Sequence, residues 1–594
     1  MTKTKKVLLI QPASAGGNFE YMAIPRQGML FLSSALAQWE GDYTYDRTIW
    51  FEDRSGLIDP DKDLDGIDIL MVTALINEVP RAFQITREAR QYHPELVIIG
   101  GGPQLSPLPE EAYKYGSFDV IVNREGEDII GQLCDVLMNN SSMKDTYLEK
   151  IPGITFLKGD KIAQLIQTPR RGLVSPDFAE LPDYKSIKDL TPQNPLTGGV
   201  LETTRGCTEN CSYCQVIQQF LGYRLISRET ELKRIGQIRE LAEDGLIHKG
   251  QNGNISIFIS DDLHPPPLRA VKFRNERLER LKNWKGHTDN MYMICQARAE
   301  IGQDMELATA MQDANIKMLY LGVESDNAEN LKLVRKRQDP GQMHSDLTTL
   351  NGMGFSVVAM TIIGLPYDTE ESIMSLADWV TEVSNYQTAN LLTPLPATSN
   401  WTDLTPLNAN GGLLEPGEMR PYHLYTGRRL VFHDERWTMQ ESEELFDRYS
   451  AKLRSIDNLY GRIFRMLRSY KMRLATTGKD LTDSVGGKIG ELSELIKTGL
   501  DNESAGYKSI DTTVLNSLLE NMRAASQPLS NAKTEITDKI NSKLTEVNEA
   551  LKTASQQVTE NSKDMFTTIS QNMDELSSML KNVVSDTSSG PETN

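Results

Sequence analysis

Three of the chain's five cysteines fall within eight residues, at Cys207, Cys211 and Cys214. They lie in the stretch ETTRGCTENCSYCQVIQQF, which runs from Glu202 to Phe220. A C-x₃-C-x₂-C spacing on a loop after a strand lets three thiolates converge on one centre. Four chemistries compete for such a trio. A disulfide with a spare thiol does not suit a reducing cytoplasm. A structural zinc ion needs a fourth ligand, usually Cys or His. The nearest downstream histidine is His248, and no further cysteine lies close. A cysteine nucleophile requires one thiol and a base, and no histidine neighbours the cluster. An iron–sulfur cluster is held by cysteine thiolates, normally four. Three would leave one iron open to a small-molecule ligand, an arrangement a catalyst can use.

The elements that must carry this loop form two alternating series. The first spans residues 1–145. Its apolar runs VLLIQP (7–12), TIWFED (48–53), IDILMVTAL (67–75), LVIIGGGP (96–103) and FDVIVNREGE (118–127) read as buried parallel strands. Helical stretches such as 26–39 and 80–92 separate them. Continuous apolar strands alternating with helices predict a doubly wound α/β sheet covered on both faces. Its ligands would sit beyond the strand carboxyl ends. A proline-rich connector covers 146–195. The second series, 196–404, starts at GGVLETTRG and continues through NISIFISDD, MYMICQARAE, KMLYLGVESD, FSVVAMTIIGLP and ANLLTPLPATS. These six strands, with helices between them, predict a partial (β/α)₆ barrel whose chemistry lies at the strand C-termini. Residues 405–475 read as a helical cap. In the tail, 476–594, apolar residues from Ile536 to Val583 recur mostly at spacings of three and four, the pattern of a coiled coil. The last ten residues read as disordered.

With the triplet placed after the first strand of a β/α series, the chain resembles the radical S-adenosylmethionine (SAM) superfamily. Cys207, Cys211 and Cys214 match its motif in full, including the aromatic Tyr213 before the third cysteine. The resemblance implies that the three cysteines hold a [4Fe–4S] cluster. Its open iron would chelate SAM, and one-electron reduction would yield a 5′-deoxyadenosyl radical. It also implies SAM-binding roles at the later strand ends. Asp261 and Asp262 in ISDDLH would meet the SAM amine, and Arg298 in QARAE its carboxylate. Glu324 and Ser325 in LGVESD would lie near SAM. Gly364 in IIGLPYDT would allow close backbone approach. The bland reading of each is a strand-end residue bonding loop backbone. Cys134 and Cys295 read as buried hydrophobes.

A doubly wound domain ahead of such a barrel resembles the cobalamin-binding subclass, which includes hopanoid- and lipid-modifying methylases. The carrying stretches are IPRQGMLFLSSAL, IIGGGPQLSPLPEE and DVIVNREGED. Gly100, Gly101 and Gly102 would let backbone lie against a corrin or its nucleotide tail. Residues 1–92 hold no histidine, and His93 ends a helix, so the lower face of cobalt would lack a histidine ligand. The resemblance implies SAM- and cobalamin-dependent methylation of an unactivated carbon, with ring or double-bond formation as the alternative. A degenerate barrel serving as a coiled-coil scaffold is the remote one.

Composition bounds the rest. Across 594 residues, 39% are hydrophobic and 24% charged, which fits a globular protein of several folded units. The short apolar run after MTKTKK reads as a first strand and not a signal peptide. No stretch is long and apolar enough to span a bilayer. A net charge of −19 argues against nucleic-acid binding. The expected partners are a small-molecule or lipid substrate and an electron donor such as a flavodoxin or ferredoxin. Self-association through the C-terminal helix is expected too. A cytoplasmic location is expected, with peripheral membrane contact through the basic amphipathic stretch 460–474 as a further reading.

Overall fold

In a computed structural model, residues 3–14, 25–139, 144–159, 164–170, 172–250 and 253–454 are described. The basic stretch 460–474 and the coiled-coil reading of 476–594 lie outside these residues.

Seven strands make the first sheet: β1 (Lys3–Gln11), β2 (Tyr43–Phe51), β3 (Ile69–Thr73), β4 (Val97–Gly101), β5 (Val120–Val122), β6 (Ile154–Lys158) and β7 (Gln164–Gln167). Their order is β2-β1-β3-β4-β5-β6-β7. The first five run parallel, with Val7 opposite Ile69 and Ile69 opposite Val97. The order 2-1-3-4-5 is that of a doubly wound sheet, which binds its ligands beyond the strand carboxyl ends. The unbroken buried run Val7–Gln11 has the composition of a strand covered on both faces. Helices Gln27–Ala37 and Val79–Tyr92 follow β1 and β3. The stretch read as a connector adds β6 and β7, paired antiparallel at the sheet edge.

The second sheet follows a two-stranded start. β8 (Gly199–Leu201) leads to the short β9 (Thr204–Arg205), which pairs antiparallel with β10 (Arg224–Leu225). Then come β11 (Ile255–Ile259), β12 (Met291–Ala297), β13 (Ile316–Glu324), β14 (Ser356–Ile363) and β15 (Tyr386–Leu391). The order β15-β14-β13-β12-β11-β8 gives six sequential strands separated by helices. This is the partial barrel expected from the repeats.

The chain divides into two compact units. The first comprises Met1–Asp346, Met360–Glu370 and Thr388–Asp447 and carries the whole candidate site. The second takes in Leu347–Ala359, Glu371–Gln387 and, among the described residues, Arg448–Arg454. Within it, Asn385 accepts the Val357 N–H at 2.7 Å, and Asn351 donates to the Val383 carbonyl at 2.6 Å.

Residues 405–454 depart from the helical expectation. Their only helix of more than one turn is Met439–Leu453. Much of the segment before it is irregular and packs back onto the first sheet. Tyr422, Tyr425 and Val431 share a buried cluster with Leu8, Ile10, Leu70, Val72 and Phe83. Lys114 and Tyr115 also donate to the Gly417 carbonyl, at 2.6 and 3.0 Å. The alternation of prolines and aromatics here is therefore a core-filling strap and not a cap. Among the described residues no helix is long and apolar enough to cross a membrane.

Candidate active site

The cysteine loop begins where β9 ends. Gly206 has φ +82°, and a β-carbon there would run into the Gly222 backbone carbonyl, so only glycine fits this turn. Cys207, Cys211 and Cys214 follow as free thiols. The loop is pinned from several sides. Ser212 N donates to Val334 O at 3.1 Å, and Cys211 Sγ lies 4.0 Å from Arg335 O. Glu209 N points at Cys207 Sγ, 3.4 Å away. Gln215, directly after Cys214, donates to the carbonyls of Pro103 at 2.5 Å and Pro396 at 3.0 Å. One side chain thus ties the loop to the turn after β4 and to the segment after β15.

Burial pushes the Cys207 thiol up to about 11 and the Cys214 thiol up to about 12. Without a cation both stay protonated at neutral pH. Iron binding must displace those protons, as thiolate coordination does. Among the described residues no three His, Cys, Asp or Glu side chains are gathered about a point for one metal ion. A polynuclear cluster makes no such demand, because each thiolate bonds a different iron. The donor set, three cysteines and no histidine, is that of an iron–sulfur cluster.

The expected SAM ligands separate into two groups. Asp261 is corrected. Its Oδ1 accepts from Thr203 N at 2.6 Å and Thr204 N at 2.9 Å. Its Oδ2 takes the Thr203 hydroxyl and His264 Nδ1, with Arg277 at 3.8 Å. With its acceptor capacity used and its side chain fully buried, it fastens the start of the cysteine segment and has nothing left for an ammonium group. Asp262 is different. Burial, then the nearby charges of Asp261 and Glu202, push its carboxyl up to about 7. It also lies close enough to Cys207 and Cys214 to raise both thiols.

Arg298 is 4% exposed. Its Nη2 donates to Glu300 at 2.9 Å and to the Lys336 and Arg337 carbonyls at 2.7 and 3.3 Å, while Nη1 lies 3.5 Å from Glu209. Among the described residues its Nε has no partner. A buried donor left open costs about 1–3 kcal/mol, so an incoming carboxylate is favoured there. Glu324 sits at φ +63°, uncommon for a side chain of its size. Its Oε1 accepts from the Tyr213 hydroxyl at 2.8 Å and from Lys336 Nζ at 2.7 Å. Ser325 is buried, and its hydroxyl accepts the Asn327 N–H at 3.1 Å. Gly364 has φ +82° and faces Leu391 and Leu430. Tyr213 and Glu324 thus touch each other beside the cysteine loop, whereas the contacts of Ser325 and Gly364 are with protein.

Two adjoining cavities lie between the first sheet and the cysteine segment. One, of about 150 Å³, is lined by Gly100, Gly101 and Gly102 on one side and by Glu202, Arg205 and Phe220 on the other. The next, of about 280 Å³, shares Arg124, Glu125 and Gln219 with it and reaches Gln215. Gly102, at φ +86°, lets the chain turn against Thr73. All three glycines therefore line the same cavity as Glu202, Arg205 and Phe220.

Sequence reading missed the charged hub beside this cavity. Arg205 is 4% exposed and pairs with Glu125 at 2.9 Å, Glu127 at 2.8 Å and Glu202 at 3.0 Å. Burial alone would lower its affinity for a proton, but the three carboxylates outweigh it and the net shift is upward. Arg224 joins Glu125 at 2.8 Å, and Arg234 joins Glu202 at 3.3 Å. The hub bolts the loop after β5 to the residues just ahead of the cysteines. The strand-end stretches NREGED and ETTRG carried the only signal, as opposite charges with no periodicity to link them.

Residues 201–380 match the family model of the radical SAM superfamily. Those residues form a radical SAM domain. Among curated relatives, a methyltransferase of Pyrococcus horikoshii is 23% identical over 412 residues, covering 67% of this chain and 83% of that protein. The hopanoid C-3 methylase of Methylococcus capsulatus is 23% identical over 332 residues, covering 54% of this chain and 58% of that one. Among solved structures, the radical SAM methyltransferase TsrM from Kitasatospora setae, with cobalamin and a [4Fe–4S] cluster bound, superposes with a TM-score of 0.55. It is 15% identical, and the match covers 76% of this chain and 88% of TsrM. The chain therefore shares the fold of TsrM.

Proposed function

We propose that this radical SAM enzyme methylates an unactivated carbon of a hydrophobic substrate, using a [4Fe–4S] cluster, SAM and cobalamin. The observation that carries the reading is the placement of three cysteines on one pinned loop whose flanking residues Glu202, Arg205 and Phe220 line a cavity shared with Gly100–Gly102. When bound, the cluster supplies an electron for SAM cleavage and the corrinoid a transferable methyl group. This chain's residues bind and orient. Cys207, Cys211 and Cys214 ligate iron. Asp262 and the open Nε of Arg298 hold the amine and carboxylate of SAM. Tyr213, Glu324 and Lys336 brace the loop's inner side. The buried Arg205 hub excludes water where the two sheets' strand ends meet.

Gly101 tests the corrinoid part. A β-carbon there would meet Val122 at ordinary contact distances of 3.6 and 3.8 Å, so the backbone tolerates a side chain. Gly101→Leu fills the cavity instead. It is expected to weaken cobalamin binding about tenfold or more while iron and sulfide content stay at the wild-type level. Equal affinity, read by absorbance titration with hydroxocobalamin, would move the corrinoid elsewhere.

Reaction and substrate are read together by mass spectrometry of lipid and metabolite extracts from cells with and without the gene. Methylation predicts a product heavier by one CH₂ than a compound that accumulates in the deleted strain. A loss of two hydrogens instead would replace methylation with ring or double-bond formation. A lipid substrate, favoured by the likeness to the hopanoid methylase, predicts that the shifted species partitions into the organic phase.

A further inference from the structure

We propose that the loop Val334–Gln338 is the surface on which an acidic one-electron carrier protein docks to reduce the cluster. This rests on the cysteines holding that cluster. The inner side of the loop is built into the site. Val334 O accepts from Ser212 N, Arg335 O lies 4.0 Å from Cys211 Sγ, and the Lys336 and Arg337 carbonyls accept from Arg298. Lys336 Nζ turns inward to Glu324.

The outer side carries two exposed cations. Arg335 and Arg337 are exposed, and among the described residues neither guanidinium has a hydrogen-bond or ion-pair partner. Both residues stand in the left-handed region, with φ values of +58° and +53°. Arginine there costs about 1–2 kcal/mol that glycine would avoid. Observed strain of this kind marks a segment held in place for use. The neighbouring charges do not cancel the pair. Lys332 touches Glu329 only at 3.9 Å, Arg269 is taken by Glu209 and Glu300, and the single carboxylate of Asp339 is outnumbered by Arg335 and Arg337, so the segment stays positive.

The chain carries a net charge of −19, so an acidic protein is repelled by most of it. Two free cations in the segment whose Arg335 carbonyl lies 4.0 Å from Cys211 Sγ offer that protein an attractive approach that ends beside a cluster ligand. The same overall charge disfavours a nucleic acid at this patch. In the transfer itself, one electron leaves the reduced carrier and enters the cluster. The carrier is oxidised by one electron, and no bond or proton moves.

The test uses the full chain with its cluster reconstituted, flavodoxin as the probe and the double variant Arg335→Asn, Arg337→Asn. Asparagine tolerates the left-handed region, so the carbonyls on the inner side keep their places. Biolayer interferometry is expected to show the flavodoxin Kd raised about tenfold in the variant, the loss of about 1.4 kcal/mol of charge attraction. Deoxyadenosine formation driven by flavodoxin falls with it, whereas the rate with dithionite stays at the wild-type value. An unchanged Kd overturns the docking surface, as does an equal loss of rate with both reductants. Wild-type protein that cleaves no SAM with dithionite would remove the proposed chemistry instead, and the binding measurement would still decide the docking.

Discussion

Cys211→Ala protein, reconstituted without oxygen, is expected to lack the brown absorbance of a [4Fe–4S] cluster and to form deoxyadenosine only at the level of cluster-free protein. The effect should be near-complete because the donor set has no reserve. Cys134 and Cys295 are fully buried, and no other free cysteine exists among the described residues. An alanine here also leaves the loop in place. Ser212 N still reaches Val334 O, and Gln215 still bridges to Pro103 and Pro396. Loss of the cluster should therefore come with an unchanged far-ultraviolet circular dichroism spectrum. Equal deoxyadenosine from wild type and variant would sink the radical reading altogether.

The largest effect on stability is expected at Arg205. Arg205→Met leaves Glu127 and shares of Glu125 and Glu202 charged and buried without their main partner. Breaking a buried pair in this way costs about 3–5 kcal/mol, because the abandoned charge cannot return to water. Urea unfolding of the metal-free protein should show that loss. Adding Glu127→Gln to the variant should recover part of it by removing one stranded charge. A loss below about 1 kcal/mol, the range of exposed pairs, would mean that water reaches the hub. Arg224 holds the other oxygen of Glu125, and Arg234 reaches the same Glu202 Oε1 as Arg205, so their presence keeps the loss from growing further.

What could be read from the amino acids followed the strength of local pattern. Strands such as VLLIQ and VIIGG are continuous apolar runs, and a run of that length flanked by helices has one good reading. The cysteine spacing was equally legible, since three soft ligands in eight residues restrict the chemistry sharply. Elements without such a pattern were not. The short β6 and β7 lie among prolines and carry half-exposed residues, so nothing marked them as part of the sheet. Asp261 and Asp262 are adjacent and chemically identical, and only tertiary contacts send one into a bonding network and leave the other close to Cys207 and Cys214. The Arg205 hub joins residues about 80 positions apart, a distance at which charges of opposite sign carry no register.

The strap formed by Tyr422, Tyr425 and Val431 bears on how the protein is made. The first sheet is translated early, yet part of its apolar cover is encoded more than 300 residues later, as the Glu111–Tyr422 hydrogen bond shows directly. A ribosome-bound chain must therefore carry that uncovered face through synthesis of the entire barrel, a long-range closure of the kind that slows folding and exposes intermediates to aggregation. An amino-terminal fragment cut after β7 inherits the same bare patch, so the first-sheet half is not a detachable module.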